Sequence, residues 1–337
     1  MKALVMKAAG SAAVTEVGDP VAGDYEATVE MVVCGVCNST DRMLRTGTFA
    51  PGVSYPSILG HESVGRISAV GRQVRYLQPG QLVTRPSAYG WDDPPIRMHW
   101  GGFAERGVVQ DTRAWQEDHP GGSSADNFPH VVFDGGHSPE DISLAISLSE
   151  TWSIAAEAGG MVGDVVGVSG TGIAGLSLVS FARLLGAQSV VCVGRRKERL
   201  QRALDLGATH TAMAGPEADS LFRELGGAQV VFEASGKAPA VDAAYRWVRP
   251  GGRLIIYSAP DEPVPLDVMS APREASLVVA RPREGAVLRS VVNLLESGAL
   301  PREFFLSGTY PLPRINDAFA AIDDGSVVKA LVTFGAS

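Results

Sequence analysis

The chain of 337 residues has only three cysteines, Cys34, Cys37 and Cys192, too few for a disulfide framework. Cys192 falls inside an apolar run, where an inert buried thiol is the expected role. No stretch approaches the ~20 uninterrupted apolar residues of a membrane span, and residues 1–7 (MKALVMK) lack the apolar segment of a signal peptide. Basic charge is not in excess either: 29 Lys and Arg stand against 37 Asp and Glu, a net charge of −8. Nucleic acids and anionic membranes attract basic patches, so neither is expected as a partner. Internal repeats and low-complexity segments are also missing. These absences point to a soluble, cytoplasmic protein. What is present is 45% apolar residues, ample for folding, in a chain long enough for two domains.

Residues 165–175 read VVGVSGTGIAG, an apolar run entering three glycines, Gly170, Gly172 and Gly175, spaced G-x-G-x-x-G. A helix-like apolar run follows, and residues 189–193 (SVVCV) read as a second buried strand about 20 residues on. Strand, glycine turn, helix and strand in this order suit a dinucleotide pyrophosphate. The first glycine permits the turn, the second lets the backbone approach the phosphates, and the third lets helix and strand pack closely. Thr171 and Ile173 complete the loop, whose unpaired N–H groups and positive helix end face the anion. The end of the second strand governs coenzyme choice. An Asp or Glu there would bind the ribose 2′-OH of NAD; this chain has Gly194, Arg195, Arg196 and Lys197 instead. The expectation is NADP(H), with Arg195 and Arg196 gripping the 2′-phosphate through planar, charged donors.

Around that unit, strand and helix patterns alternate from about residue 164 to 280, as in a doubly wound parallel sheet. Residues 1 to about 71 carry short β-like runs broken by Gly and Pro, and residues 80–139 read as irregular loops over a β scaffold. Residues 141–146 and 151–158 look helical. Two short stretches in the front part carry chemistry: residues 34–41 (CGVCNSTD) and residues 60–65 (GHESVG). Cys34 and Cys37 form a C-x-x-C pair. With no second pair, and no thioredoxin-like helix opening at it, a zinc knuckle or redox motif is disfavoured.

Taken in order, Gly35-Val36-Cys37-x-Ser39, Gly60-His61-Glu62, residues 101–105 (GGFAE) and the later G-x-G-x-x-G make the chain resemble the zinc-dependent medium-chain alcohol dehydrogenases, in particular sorbitol- and glucose-dehydrogenase-like members. The resemblance covers nearly the whole length. It implies an α/β fold with a GroES-like β-rich catalytic domain over residues 1–150, completed by 285–337, and a Rossmann NADP-binding domain over 151–284. It also implies one catalytic zinc held by Cys37, His61 and a third ligand. Glu150 matches the family's carboxylate ligand, although Thr151 stands where a Pro usually follows; Glu62 is either an outer acid or the alternate ligand. Such a donor set suits zinc, which accepts thiolate, imidazole and carboxylate and keeps a position open for a substrate oxygen.

Ser39 matches the family's proton-relay hydroxyl, while Arg42 occupies the place where a relay His is common. Residues 85–125 contain no cysteine, so a structural zinc is not expected. Trp91, His99, Trp100 and Trp152 are candidates for pocket walls. The implied activity is hydride transfer between NADP(H) and a secondary alcohol, such as a polyol, sugar or cyclic alcohol, and its carbonyl, by a homodimer or homotetramer. The rivals are a zinc-free NADPH quinone or enoyl reductase, which has no use for Cys37 with His61, and a non-catalytic NADPH-binding protein.

Overall fold

The computed structural model describes all residues except 50–51, 88–96, 99–100, 123–129, 261, 267–268, 270–271 and 336–337. The front of the chain forms β1 (Lys2–Ala8), β2 (Ser11–Glu16), β3 (Glu26–Gly35), α1 (Thr40–Thr46), β4 (Ser57–Ile58), β5 (Glu62–Val70), β6 (Leu82–Thr84), β7 (Arg97–Met98), β8 (Arg106–Gln110), α2 (Thr112–Asp118), β9 (Val132–Phe133) and α3 (Pro139–Ala158). Alternation then sets in with β10 (Val165–Ser169), α4 (Ile173–Leu184), β11 (Ser189–Gly194), α5 (Lys197–Asp205), β12 (His210–Met213), α6 (Pro216–Glu224), β13 (Ala228–Glu233), α7 (Ala238–Arg246), β14 (Val248–Ile256), β15 (Ser276–Val279) and α8 (Glu284–Glu296). The tail adds β16 (Leu306–Pro311), α9 (Ile315–Asp323) and β17 (Lys329–Thr333).

Two compact units result: residues 1–146 with 306–337, and residues 147–305. In the first, β16, β17, β3, β5, β6 and β9 form a sheet in that order, with β8 on the free part of β3, and β2, β1, β4 and β7 form a smaller one. The tail therefore supplies the neighbour of β3: Leu331 pairs with Gly35 and Val332 with Cys34. On the other side of β3, Gly35 pairs with Glu62 and Cys34 with Ser63. Leu4, Met6, Cys34, Leu44, Leu59, Phe103, Phe319 and Val332 fill the core beneath. Residues 106–118, read from the sequence as loop, form β8 and α2. Pairing with β3 makes the strand, and the Asp111 side chain accepts from the Ala114 N–H at 3.0 Å to cap the helix.

The second unit is a six-stranded sheet in the order β12-β11-β10-β13-β14-β15, every pairing parallel. Strands covered on both faces are near-continuously apolar, as VVGVS and SVVCVG are. Phe222 on α6 stacks on Trp247 with ring centres 4.7 Å apart and fills the space beside Gly167, where a side chain would collide with it. Helix α8 belongs to this unit, so the segment that returns to the first unit starts at Leu306 rather than near 285. The two helical patterns at 141–146 and 151–158 are one helix, α3. Thr151 keeps it continuous where a Pro would remove an N–H; its hydroxyl bonds to the Leu148 carbonyl at 2.9 Å and to the Ser177 hydroxyl at 2.8 Å. Among the described residues no helix is long and apolar enough to cross a membrane.

Candidate active site

The carboxyl end of β3, the turn into α1 and the start of β5 gather the titratable groups of the first unit. The backbone N–H of Cys37 donates to Asp41 Oδ2 at 2.8 Å, which fixes the turn carrying the thiol. Asp41 Oδ1 lies 3.4 Å from His61 Nδ1, so this buried carboxylate orients the imidazole and leaves Nε2 on the side of Glu62, whose Oε1 is 4.0 Å away. Arg85 Nε donates to the His61 carbonyl at 2.8 Å, and Ser143 donates to the Glu62 carbonyl at 2.7 Å, pinning the backbone on both sides. The ligand atoms of Cys37, His61 and Glu62 all lie within 4.8 Å of one another. Donors around a tetrahedral zinc with bonds of 2.0–2.3 Å sit roughly 3.3–3.8 Å apart, so a small contraction closes the set. Sulfur, imidazole nitrogen and carboxylate oxygen are the donors zinc takes, and a carboxylate behind the His is the usual outer partner of a metal-bound imidazole.

The electrostatics agree. Burial works against a charged His61, yet the Asp41 carboxylate beside its Nδ1 and the Cys37 sulfur outweigh it and raise its pKa well above the ordinary value. Burial likewise opposes the Lys329 ammonium, and the Glu62 carboxylate more than offsets it, followed by Cys37 and Asp41. Lys329 and Glu62 form an ion pair in which both side chains are almost fully buried. Asp41, Glu62 and the Cys37 sulfur thus favour positive charge in the pocket, and the same donors favour a divalent cation. Gly35 makes the arrangement possible: a Cβ there would overlap Glu62 Oε2 and crowd Lys329. Cys34, wholly buried one residue before, has its thiol pushed well up by burial and stays out of the chemistry. Cys192 is pushed up to about 12 by burial alone.

Ser39 is exposed at the N-cap of α1, and its side chain does not cap the helix. Glu150 belongs to the second unit, where the Tyr257 phenol donates to its Oε2 at 2.5 Å. Trp152 packs edge-on against Phe181, ring centres 4.9 Å apart. Trp91, His99 and Trp100 lie outside the described residues.

In the second unit Gly170 has φ +117° and backs onto the Ala234 carbonyl, where a Cβ would sit 2.9 Å away; only glycine fits this turn. Thr171 and Gly172 follow, and Gly172 caps α4 without a side chain, leaving the N–H groups of Ile173 and its successors pointing outward. Gly175 packs directly under the Gly170 carbonyl. Beyond the end of β11, Arg195 and Arg196 are exposed. Arg199, one turn into α5, has its pKa lowered to about 10 by burial and by the neighbouring Arg202 and Arg196 guanidiniums. Crowding like charges is unfavourable without an anion between them.

Asp41, Arg85, Lys329 and Arg199 were not picked out from the sequence. Lys329 had a signal, a single charge inside the apolar run of residues 327–334; Arg199 had one too, three residues after Arg196 on a helix face. Asp41 and Arg85 had none beyond being polar.

Two family models match the chain: "Alcohol dehydrogenase GroES-like domain" over residues 23–118 and "Zinc-binding dehydrogenase" over residues 174–295. A D-xylulose reductase from Morganella morganii is 28% identical over 92% of this chain and 94% of its own length. An alcohol dehydrogenase from Thermus sp. ATN1 superposes with a TM-score of 0.80 at 27% identity, covering 99% of both chains. A zinc-binding dehydrogenase fold from Sinorhizobium meliloti 1021, solved bound to NADP, gives a TM-score of 0.80 at 25% identity over 98% of both. The chain belongs to the zinc-binding medium-chain alcohol dehydrogenases. It is an oxidoreductase acting on small-molecule alcohols and their carbonyl counterparts.

Proposed function

We propose that the protein interconverts a secondary alcohol, of the polyol, sugar or cyclic class, and its ketone, using one catalytic zinc and NADP(H). The observation that carries the reading is the cluster of Cys37, His61 and Glu62, a complete donor set with its own outer shell. When bound, the metal supplies Lewis acidity that lowers the pKa of a substrate hydroxyl, and the nicotinamide takes or gives the hydride. The protein's own groups do the rest. Cys37 and His61 would hold the ion, Asp41 fixes the His61 ring, and Glu62, kept in place by Lys329, would complete the set. Glu150, the other carboxylate that the family resemblance offers, is held by the Tyr257 phenol. Ser39, exposed two residues after Cys37 and not spent on capping, passes the hydroxyl proton toward solvent.

Coenzyme choice rests on the end of β11. No carboxylate stands there to receive a ribose 2′-OH; Arg195 and Arg196 are exposed, and Arg199 adds to the local positive charge. The NADP-bound relative and the D-xylulose reductase support, respectively, the coenzyme and the substrate class. A panel of polyols, sugars and cyclic and primary alcohols, each oxidised with NADP⁺ and NAD⁺ in parallel, tests the proposal. Turnover of a secondary alcohol with a preference for NADP⁺ is expected. Turnover confined to primary alcohols, or a preference for NAD⁺, would remove the corresponding half of the reading.

A further inference from the structure

Glu233 is wholly buried at the carboxyl end of β13, and nothing in the chemistry above uses it. Its Oε1 accepts two hydrogen bonds from Ser235, the backbone N–H at 2.8 Å and the hydroxyl at 2.5 Å, and its Oε2 accepts the hydroxyl of Ser258. Ser235 lies just beyond β13 and Ser258 just beyond β14, neighbours in the parallel sheet. The Glu233 carbonyl also receives the Tyr257 and Ser258 N–H groups, at 3.0 and 3.3 Å. Among the described residues no basic side chain pairs with the carboxylate. Burying a carboxylate on neutral donors alone is costly, and two strand ends can be joined more cheaply by backbone bonds.

What the carboxylate does is set the direction of two protons. A serine hydroxyl has one hydrogen to donate and two lone pairs to accept with. Both hydroxyl hydrogens here are committed inward to Glu233, so on their other sides the two oxygens can only accept. Ser235 Oγ takes one bond from the Lys237 N–H at 3.3 Å and keeps a lone pair for a ligand. Ser235 is exposed and Ser258 half-buried, so the pair presents an acceptor edge at the carboxyl ends of adjacent strands.

The sheet order says which part of a dinucleotide meets that edge. Arg195 and Arg196 at the end of β11 mark the adenosine side, and the glycine turn after β10 marks the pyrophosphate. Continuing across the sheet, the next strands are β13 and β14, and the glycine turn itself abuts Ala234 and Ser235. The remaining half of the coenzyme, with its hydroxylated ribose, therefore lies over the ends that carry Ser235 and Ser258. We infer that Glu233 is a positioning residue that holds Ser235 and Ser258 as acceptors for the hydroxyls of the nicotinamide-side ribose, an inference that rests on the coenzyme reading above.

The test compares two ligands on Glu233→Gln by calorimetric titration: NADPH, and adenosine 2′,5′-bisphosphate, which lacks the nicotinamide half. The glutamine amide has a single acceptor oxygen and cannot hold both hydroxyls inward. About a tenfold or greater loss of NADPH affinity is expected, the equivalent of one lost hydrogen bond, with the bisphosphate bound within about twofold of wild type. Unchanged NADPH affinity overturns the inference, as does an equal loss of both ligands, which would mean a loosened fold. If Glu233→Gln does not fold, Ser258→Ala takes its place, because it leaves the carboxylate with both Ser235 bonds; the same selective loss is expected, and its absence refutes. Wild-type protein that binds NADH but neither NADPH nor the bisphosphate would sink the coenzyme reading alone, and the comparison then runs with NADH against AMP.

Discussion

Replacing Lys329 by Met isolates the buried ion pair. Both partners are almost fully buried, with side-chain exposures of 3% and 4%, so the substitution removes the ammonium that faces the Glu62 carboxylate where bulk water does not reach it. Breaking such a pair from one side costs on the order of 3–5 kcal/mol. The stranded carboxyl can escape by taking a proton, at about 1.4 kcal/mol for each pH unit above its ordinary pKa of about 4.3, which is about 3.7 kcal/mol at pH 7 and about 1 kcal/mol at pH 5. The defect should therefore be roughly 3–4 kcal/mol at neutral pH and shrink on acidification.

The sign follows from linkage: in the variant the folded-state pKa of Glu62 rises above its unfolded value, so stability is lost as pH rises. In the wild-type protein the raised pKa of Lys329 keeps its contribution complete below about pH 10.5, so the acid-side trend belongs to the variant. Urea unfolding of chelator-treated protein between pH 5 and 8 measures both. Lys329→Met with Glu62→Gln removes both charges and should lie within about 1–2 kcal/mol of wild type. A single variant as stable as wild type at pH 7, or one whose deficit grows toward pH 5, would show that Lys329 does not hold Glu62 as a buried carboxylate.

Three further outcomes are expected. Gly35→Ala places a Cβ against Glu62 Oε2 and Lys329, and should cost about 1–3 kcal/mol in urea unfolding and weaken zinc retention against a chelator. Arg195→Ala with Arg196→Ala should raise KM for NADPH by about 10–100-fold while that for NADH stays within about threefold, measured by initial rates, because only the 2′-phosphate loses its charged donors. Asp41→Asn keeps the shape beside His61 but removes the charge behind the ring, and zinc affinity by competitive titration should fall about 10–100-fold; unchanged affinity would dismiss Asp41 as the orienting group.

Much of this was legible from residue order. The glycine turn was readable because its three glycines sit between two apolar runs whose parallel pairing buries both faces, and Gly170 takes a conformation that other residues avoid. Cys37 and His61 were readable because they follow and precede strands that pair directly, so a local motif at each strand end becomes one cluster. Lys329 was not, since it reaches Glu62 only through the pairing of the tail with β3, about 300 residues away in sequence. The strand and helix at residues 106–118 were missed because β8 gains its order from the partner strand, not from its own alternation. Glu233 gave no signal at all: its importance lies in two serines that arrive from different strand ends.

If Cys37 and His61 hold one catalytic zinc, elemental analysis of protein purified without added metal, alongside Cys37→Ser and His61→Ala, reads that metal itself. About one zinc per chain is expected in the wild type and a near-complete loss in both variants, with NADPH binding retained. A wild-type protein free of zinc that gains no alcohol-oxidising activity when zinc is supplied, or variants that keep their metal, would rule out a catalytic zinc on Cys37 and His61.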